Sequence, residues 1–334
     1  MNFIGMDIHR QTTTAVAKDI QGNILNKAKF ENSKENFKSF LLEFKPEETQ
    51  IVIESTCVWE YIYDMLESEG YSIKLANPIK TKAIAYARIK TDSVDASTLA
   101  DLLRANLVAE SYIPSREIRK LREVVRQRSS LIKERTRIKN KIHAILTRHG
   151  IKTPFKTLCK NALKLILEDL KEISIKTILA TYIGLLEQYN HEISFIDEKI
   201  KDISYKEKQT QILMTVPGIG SIRALGLMSE IADINRFENS SKLCSYAGLV
   251  PSIKQSGNSL RFGSLIKQSS KTLKYVLIEA SWNIVRTKES NQLQEFYKKL
   301  LRKKCKQKAI CAVARKLCCA VYSMLKNNEE FIVL

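Results

Sequence analysis

Phe3-Ile4-Gly5-Met6-Asp7, an apolar run closed by a carboxylate, is the stretch on which the fold turns. A second run of the same kind, Ile51-Val52-Ile53-Glu54, stands further along. Between them Thr12–Lys18 alternates with β-branched residues, Gln21-Gly22-Asn23 marks a turn, and Ile24–Phe30 reads as a third strand. Ser33–Phe44 carries Phe37, Phe40, Leu41 and Phe44 at helical spacing and stops before Pro46. The pattern then predicts a short buried strand at Thr49–Glu54, a helix at Val58–Ser68 ending before Gly70, and a strand at Tyr71–Ala76. Two helices follow, around Ile79–Ala87 and Ser93–Arg104.

The order β-β-β-α-β-α-β-α, an antiparallel meander feeding α/β units, is that of the ribonuclease H-like fold. There the first and fourth strands end side by side in mid-sheet, which would bring Asp7 beside Glu54. Asp92 and Asp95, three apart at a helix start, project the same way. Such a cluster repels itself unless divalent cations sit in it, and oxygen-only ligands favour magnesium or manganese. Competing readings exist for each acid. Asp92 and Asp95 fit a capping box, with Asp92 as N-cap and Asp95 at N3, and Asp7 fits a strand-end turn. Glu54 is harder to dismiss, because a lone buried carboxylate is costly. Taken together, the four read as a metal site.

The chain has 334 residues, enough for two or three domains, with 55 Lys+Arg against 36 Asp+Glu and a formal net charge of +19. The excess is uneven. Residues 1–100 hold 12 Lys/Arg and 14 Asp/Glu, so the remaining 234 carry +21. An acidic module followed by a basic remainder suggests one part that holds metal and another that holds a polyanion, ahead of a merely solvated basic surface. No segment has the apolar length of a membrane span, and the N-terminus lacks a signal-peptide layout. The seven cysteines (Cys57, Cys159, Cys244, Cys305, Cys311, Cys318, Cys319) contain no C-x-x-C pair and read as reduced cytosolic thiols. His9, His143, His149 and His191 show no zinc-like spacing.

Residues 115–150 change character: Ile118, Leu121, Val125, Ile132, Ile138, Ile142 and Ile145 keep three/four spacing over one long helix, interrupted at Arg128 and Arg135. Ser111–Gly150 holds 12 Lys/Arg and 3 Asp/Glu, so a coiled-coil or bundle arm with a phosphate-facing surface is expected, a solvated face being the alternative. Residues 156–205 continue as helix, expected to return antiparallel. Pro217-Gly218-Ile219-Gly220 between helical segments is a helix–hairpin–helix signature, in which backbone N–H groups hold a DNA phosphate; a plain turn between helices is the competing reading. Ser252–Ser259 reads as a polar, Gly-containing loop before a long helix at Lys271–Val285. Lys298–Lys316 holds nine Lys/Arg and no acid, with Leu300, Leu301, Ile310, Val313 and Leu317 at helical spacing. Candidate nucleic-acid contacts are Arg126, Arg135, Gly218, Gly220, Lys254, Arg261, Lys267 and Lys271.

Ile4-Gly5-Met6-Asp7, Ile53-Glu54-Ser55-Thr56, Ala76-Asn77-Pro78, Lys90-Thr91-Asp92-Ser93-Val94-Asp95-Ala96, Val216-Pro217-Gly218-Ile219-Gly220, Tyr246-Ala247-Gly248-Leu249-Val250-Pro251 and Gln255-Ser256-Gly257 occur in that order. Together they resemble the IS-one-ten family of insertion-sequence transposases, DEDD recombinases guided by a bridge RNA, over about residues 3 to 285. The resemblance implies a RuvC-like catalytic domain at 1–112, a helical coiled-coil segment at 113–207 and a mainly helical transposase domain at 208–334. It implies that Asp7, Glu54, Asp92 and Asp95 hold Mg²⁺ or Mn²⁺, and that Ser256 attacks DNA to form a transient phosphoserine link. Ser252, Ser259 and Ser264 lie near, so the choice of Ser256 rests on the motif alone. It further implies donor and target DNA, a structured non-coding guide RNA, a homo-oligomer (dimer or tetramer), and a prokaryotic cytoplasmic setting.

A serine needs activation, and no histidine lies near Ser256 in sequence, so activation by the metal site is expected, with the two terminal domains meeting in cis or in trans. Three alternatives stand beside this. One is a junction resolvase without a covalent intermediate, and one a non-enzymatic DNA-organising protein. The third is an actin-like kinase suggested by Asp7-Ile8 and Thr12-Thr13-Thr14, although the eleven glycines supply no matching adenosine loops.

Overall fold

The computed structural model describes residues 1–85, 91–151, 160–257, 259–287 and 291–331. Ala87, Lys90, residues 156–159 with Cys159, and Asn258, which enter the expectations above, lie outside the described residues. The chain divides into two compact units, Met1–Ile113 and Pro114–Leu334.

The first unit runs β1 (Asn2–Ile8), β2 (Thr12–Lys18), β3 (Ile24–Glu31), α1 (Lys34–Leu41), β4 (Thr49–Glu54), α2 (Trp59–Ser68), β5 (Ser72–Ala76), α3 (Pro78–Ile84) and α4 (Asp92–Arg104). The sheet order is β3-β2-β1-β4-β5, with β1–β2 and β2–β3 antiparallel and β1–β4 and β4–β5 parallel. This is the expected α/β order, with β1 and β4 adjacent in mid-sheet. α1 is shorter than the Phe periodicity suggested: it ends at Leu41, and Phe44 is buried from the following turn.

Side chains alternate across the pleat, and both faces are covered. Ile4, Met6, Ile51 and Ile53 pack with Phe37, Phe40, Ile62 and Leu66 from α1 and α2. Phe3 and Val52 pack on the opposite face with Leu99 and Leu103 of α4. Each enclosed aliphatic side chain contributes about 1.5–3 kcal/mol, which explains why β1 is apolar along its length rather than alternating. Gly5 lies on the α4 face. A Cβ there would meet the Ala96 carbonyl oxygen and come within 2.5 Å of Ala100 N, so only glycine lets the helix backbone approach this closely.

The second unit contains α5 (Arg116–Arg148), α6 (Lys160–Asp169), α7 (Ile173–Lys206), α8 (Lys208–Met214), α9 (Ser221–Ile231), α10 (Ser240–Tyr246), β6 (Pro251–Ser256), β7 (Ser259–Leu265), α11 (Lys271–Arg286), α12 (Gln292–Leu301) and α13 (Lys306–Asn327). α5 and α7 pack antiparallel. Arg128 bonds Asp197, Arg135 Nη1 donates to Asn190 Oδ1 at 3.2 Å, and the Lys141 ammonium lies over the Tyr182 ring. The apolar stripe is interrupted at Arg128 and Arg135 because these residues reach polar groups on α7. Val125 and Ile200 belong to the main core with α8–α11 and α13, whereas Ile142, Leu146, Ile175 and Leu179 form a separate core further along the pair.

The basic run 298–316 spans two helices, α12 and α13, broken between Leu301 and Lys306. Ile310, Val313 and Leu317 are buried, while Lys306, Lys308, Arg315 and Lys316 are exposed. The expectation of a loop at Ser252–Ser259 is corrected: β6 and β7 form an antiparallel hairpin in which Ser256 pairs with Ser259. Its strands are mostly exposed, so no buried, alternating face announced them in the sequence; the residue types of Ser-Gly-Asn-Ser were the available signal. Among the described residues no helix is long and apolar enough to cross a membrane.

Candidate functional site

Strand register brings Asp7 to its place. β1 and β4 run in register through Met6 and Ile53, so the next residues, Asp7 and Glu54, come side by side at the C-terminal ends of neighbouring parallel strands. Both follow Phe3, Gly5 and Val52 on the face that α4 covers. On the other side Asp7 pairs with Thr14, and Thr14 with Lys29. One row across the sheet therefore reads Glu54, Asp7, Thr14, Lys29, passing from acid through hydroxyl to cation.

The contact of α4 on Gly5 sets the height of the helix start. Thr91 is the N-cap, its hydroxyl accepting from Val94 N at 3.2 Å. Asp92 is thus the first helical residue rather than the cap, and the capping reading of this carboxylate is set aside. His9 Nε2 lies 3.3 Å from Asp7 Oδ2 and 3.3 Å from Asp92 Oδ1. Lys29 Nζ donates to Asp92 Oδ2 at 2.8 Å. The Lys29 ammonium, with His9 second, holds the Asp92 carboxyl below the usual carboxylate range. Asp7 is buried, and burying a carboxylate is costly without partners.

Asp7, His9 and Asp92 each offer a ligand atom within 4.8 Å of the others. Glu54, half-buried at the end of β4, and Asp95, half-buried within the first turns of α4, lie outside that tight group. His9 was not anticipated as a ligand. The signal for it was the nearness of His9 in sequence to Asp7, one residue past the end of β1. Two carboxylates and an imidazole together form a candidate donor set, a combination that accepts a divalent cation and widens the choice of metal beyond magnesium.

In the second unit Ser256 is exposed at the hairpin tip. Cross-strand partners share a face. Lys254 pairs with Arg261 and Ser256 with Ser259, giving one face of cations and hydroxyls. The other face carries Ile253 and Phe262, 60% and 65% exposed. Lys267 is exposed after β7, and Lys271 is exposed as the first residue of α11.

The remaining expected contacts are more engaged. Arg126 Nη2 donates to buried Glu230 at 3.1 Å, and Glu230 also accepts from Ser270 Oγ at 3.0 Å. That carboxylate ties α5, α9 and the start of α11 together. Gly218, with φ +83°, faces α11: a Cβ would lie 2.5 Å from Asn283 Cβ, so this glycine answers a packing demand. Gly220 is the N-cap of α9 and has open space beside it. The start of α9, Arg128, Arg135 and Arg223 line a cavity of about 420 Å³.

A model described as a transposase family, of the DEDD IS110 type, matches residues 4–151, and the transposase IS116/IS110/IS902 family matches residues 210–298. The chain is 27% identical to the pilin gene-inverting protein of Moraxella lacunata, covering 98% of this chain and 97% of that protein. It is 23% identical to the transposase for insertion sequence element IS1328 of Yersinia enterocolitica, over 95% and 94% of the two chains. Its identity to the transposase for IS1111A of Coxiella burnetii is 22%, over 84% and 79%.

Proposed function

The chain belongs to the IS110-type transposases, enzymes of DNA recombination, and on that premise we propose that it cuts and rejoins DNA strands to move an insertion sequence. The observation that carries the reading is the convergence of Asp7 and Asp92, from a central strand and a separate helix, on one point beside Glu54. A divalent cation bound there, Mg²⁺ or Mn²⁺, would neutralise phosphate charge and polarise the scissile bond. Asp7, Asp92 and His9 would hold it directly, and Glu54 and Asp95 would complete the set as a DNA strand enters. Lys29 draws Asp92 toward the row of polar side chains and keeps the carboxylate ionised.

Ser256 is the nucleophile in this reading. Its hydroxyl oxygen attacks phosphorus and displaces a DNA hydroxyl, leaving a phosphoserine link whose phosphodiester energy allows rejoining without ATP. Lys254 and Arg261, on the face of the hairpin that carries Ser256, would hold the flanking backbone. Residues 1–112 act as the RuvC-like catalytic domain, 113–207 as a coiled-coil arm, and 208–334 as the transposase domain. Gly218 and Gly220 belong to a helix–hairpin–helix, with Gly220 at its open side, and Lys267, Lys271 and Arg135 add cations. A structured guide RNA selects the donor and target sequences, and the protein works as a homo-oligomer in a prokaryotic cytoplasm. The Moraxella relative is named for inverting a gene, and cutting and rejoining of this kind would serve inversion as well as insertion.

The test is incubation of the protein with DNA carrying the element ends, Mg²⁺ or Mn²⁺, and RNA from the element's flank. A covalent protein–DNA species resistant to denaturant is expected. It is lost in Ser256→Ala and in Asp7→Asn, with both variants folded. Strand exchange retained by Ser256→Ala would refute the covalent step and favour a resolvase-like cleavage. Full activity without RNA would refute the guide.

A further inference from the structure

We propose that the pocket beside the metal centre, lined by Thr14, Lys27, Lys29, Thr91, Asp92 and Ser93, seats a backbone phosphate of the DNA strand next to the one being cut. The inference rests on the reading of Asp7 and Asp92 as metal ligands, and adds a strand-positioning subsite to it.

Three independent features meet in this pocket of about 420 Å³. Thr14 is 3% exposed, yet its hydroxyl has no hydrogen-bond partner among the described residues. A buried hydroxyl left this way carries an uncompensated desolvation cost, which an incoming phosphate oxygen would remove. Lys27 and Lys29 project from alternate positions of β3 on the α4 face, opposite Val16 and Thr14. Their neighbours Ala28 and Phe30 pack into the core on the other side. The pocket also takes in the start of α4, a helix of 13 residues. There the N–H groups of Asp92 and Ser93 have no intrahelical acceptor, and the helix dipole favours an anion.

Lys29 is the element that changes partner. Without DNA it neutralises Asp92 at 2.8 Å. Once Asp92 is engaged on a divalent cation, that carboxylate no longer needs the ammonium, and Lys29 turns to a phosphate oxygen in the same pocket. Cation binding at Asp92 and strand binding at Lys29 therefore support each other.

The experiment measures binding of a short labelled DNA oligonucleotide to the full chain by fluorescence anisotropy across a salt series, in EDTA and in Mn²⁺. In Mn²⁺, Lys29→Gln is expected to weaken binding and to lower the slope of log K against log[salt] by about 1, with Lys29→Arg restoring both. Thr14→Val, close in shape, is expected to weaken binding several-fold with the slope unchanged and the melting temperature equal or higher. Wild-type affinity and slope in Lys29→Gln in Mn²⁺ would overturn the proposal, as would wild-type affinity in Thr14→Val. A loss confined to an RNA oligonucleotide of the same sequence would overturn DNA as the occupant. Mn²⁺ uptake by the DNA-free protein, read by calorimetry, is scored separately: Asp92→Asn should abolish it and Lys29→Gln should not. If the unmodified protein takes up no Mn²⁺, the metal reading fails, while Thr14→Val in EDTA still decides the pocket, because the Thr14 hydroxyl lacks a partner among the described residues whether or not a cation is bound.

Discussion

Replacing Gly5 with alanine tests whether the placement of one helix creates the proposed metal centre. The new Cβ would lie 2.5 Å from Ala100 N, nearer still to the Ala96 oxygen, and 3.0 Å from Leu99 Cβ. Two of these three atoms are backbone, so no rotamer change relieves them. Clearing Ala100 N requires α4 to retreat by about 0.5 Å, and clearing the Ala96 oxygen roughly twice that. Overpacking of this kind costs about 1–3 kcal/mol, and backbone contacts place the variant at the upper end, about a hundredfold in the unfolding equilibrium. Asp92 travels with the helix. Its 3.3 Å approach to His9 would open to about 4 Å, beyond hydrogen-bond range. Mn²⁺ affinity should then fall about 10–100-fold, as when groups supporting a metal site are lost. Urea unfolding followed by Trp59 fluorescence, in a Trp282→Phe background, reads the first unit alone, since the chain has two tryptophans. Calorimetry reads the metal. Wild-type stability together with wild-type Mn²⁺ affinity in Gly5→Ala would refute the argument that this close approach builds the site.

Gly218→Ala should destabilise the second unit by about 2–3 kcal/mol, through positive φ and the Asn283 contact, whereas Gly220→Ala, with open space around it, should change stability by under about 0.5 kcal/mol in the same urea titration. Glu230→Ala should cost about 3–5 kcal/mol, because it leaves the largely buried Arg122 without its carboxylate partner; Arg126→Ala, more than half exposed, should cost only about 1 kcal/mol. The Asp92 carboxyl is held below its ordinary value, first by Lys29. Its contribution to stability is therefore present above about pH 4 and lost as the pH falls through the folded-state value. Lys29→Met removes the larger cause and should move the acid-unfolding midpoint upward, and an unchanged midpoint in circular dichroism would contradict the assignment.

Local periodicity made much of this protein readable from its residues alone. The apolar runs before Asp7 and Glu54, the β-branched alternation of Thr12–Lys18 and the three/four spacing of the long helices each depend on neighbours in sequence. The β-β-β-α-β-α-β-α order followed from them, and with it the adjacency of the two strand-end acids. Weak or absent local signals account for the rest. The 251–265 hairpin has no buried face, so no alternation of polarity marked its strands. The first-turn Asp-x-x-Asp admits a cap as well as a ligand pair, and the hydroxyl of Thr91 takes the cap role away from Asp92.

Other features exist only in three dimensions. His9 joins Asp7 and Asp92 because it directly follows the end of β1 while a helix more than eighty residues later comes to rest on Gly5. The row from Glu54 to Lys29 is a product of register across four strands, which no single strand encodes. Arg128 and Arg135, anomalies in an apolar stripe, become sensible once α7 lies antiparallel to α5. Sequence determined which side chains were available and which way each local segment would fold, because torsional preference and amphipathic spacing act over a few residues. Tertiary packing alone decided which of those side chains meet, because that depends on close approach between segments far apart along the chain.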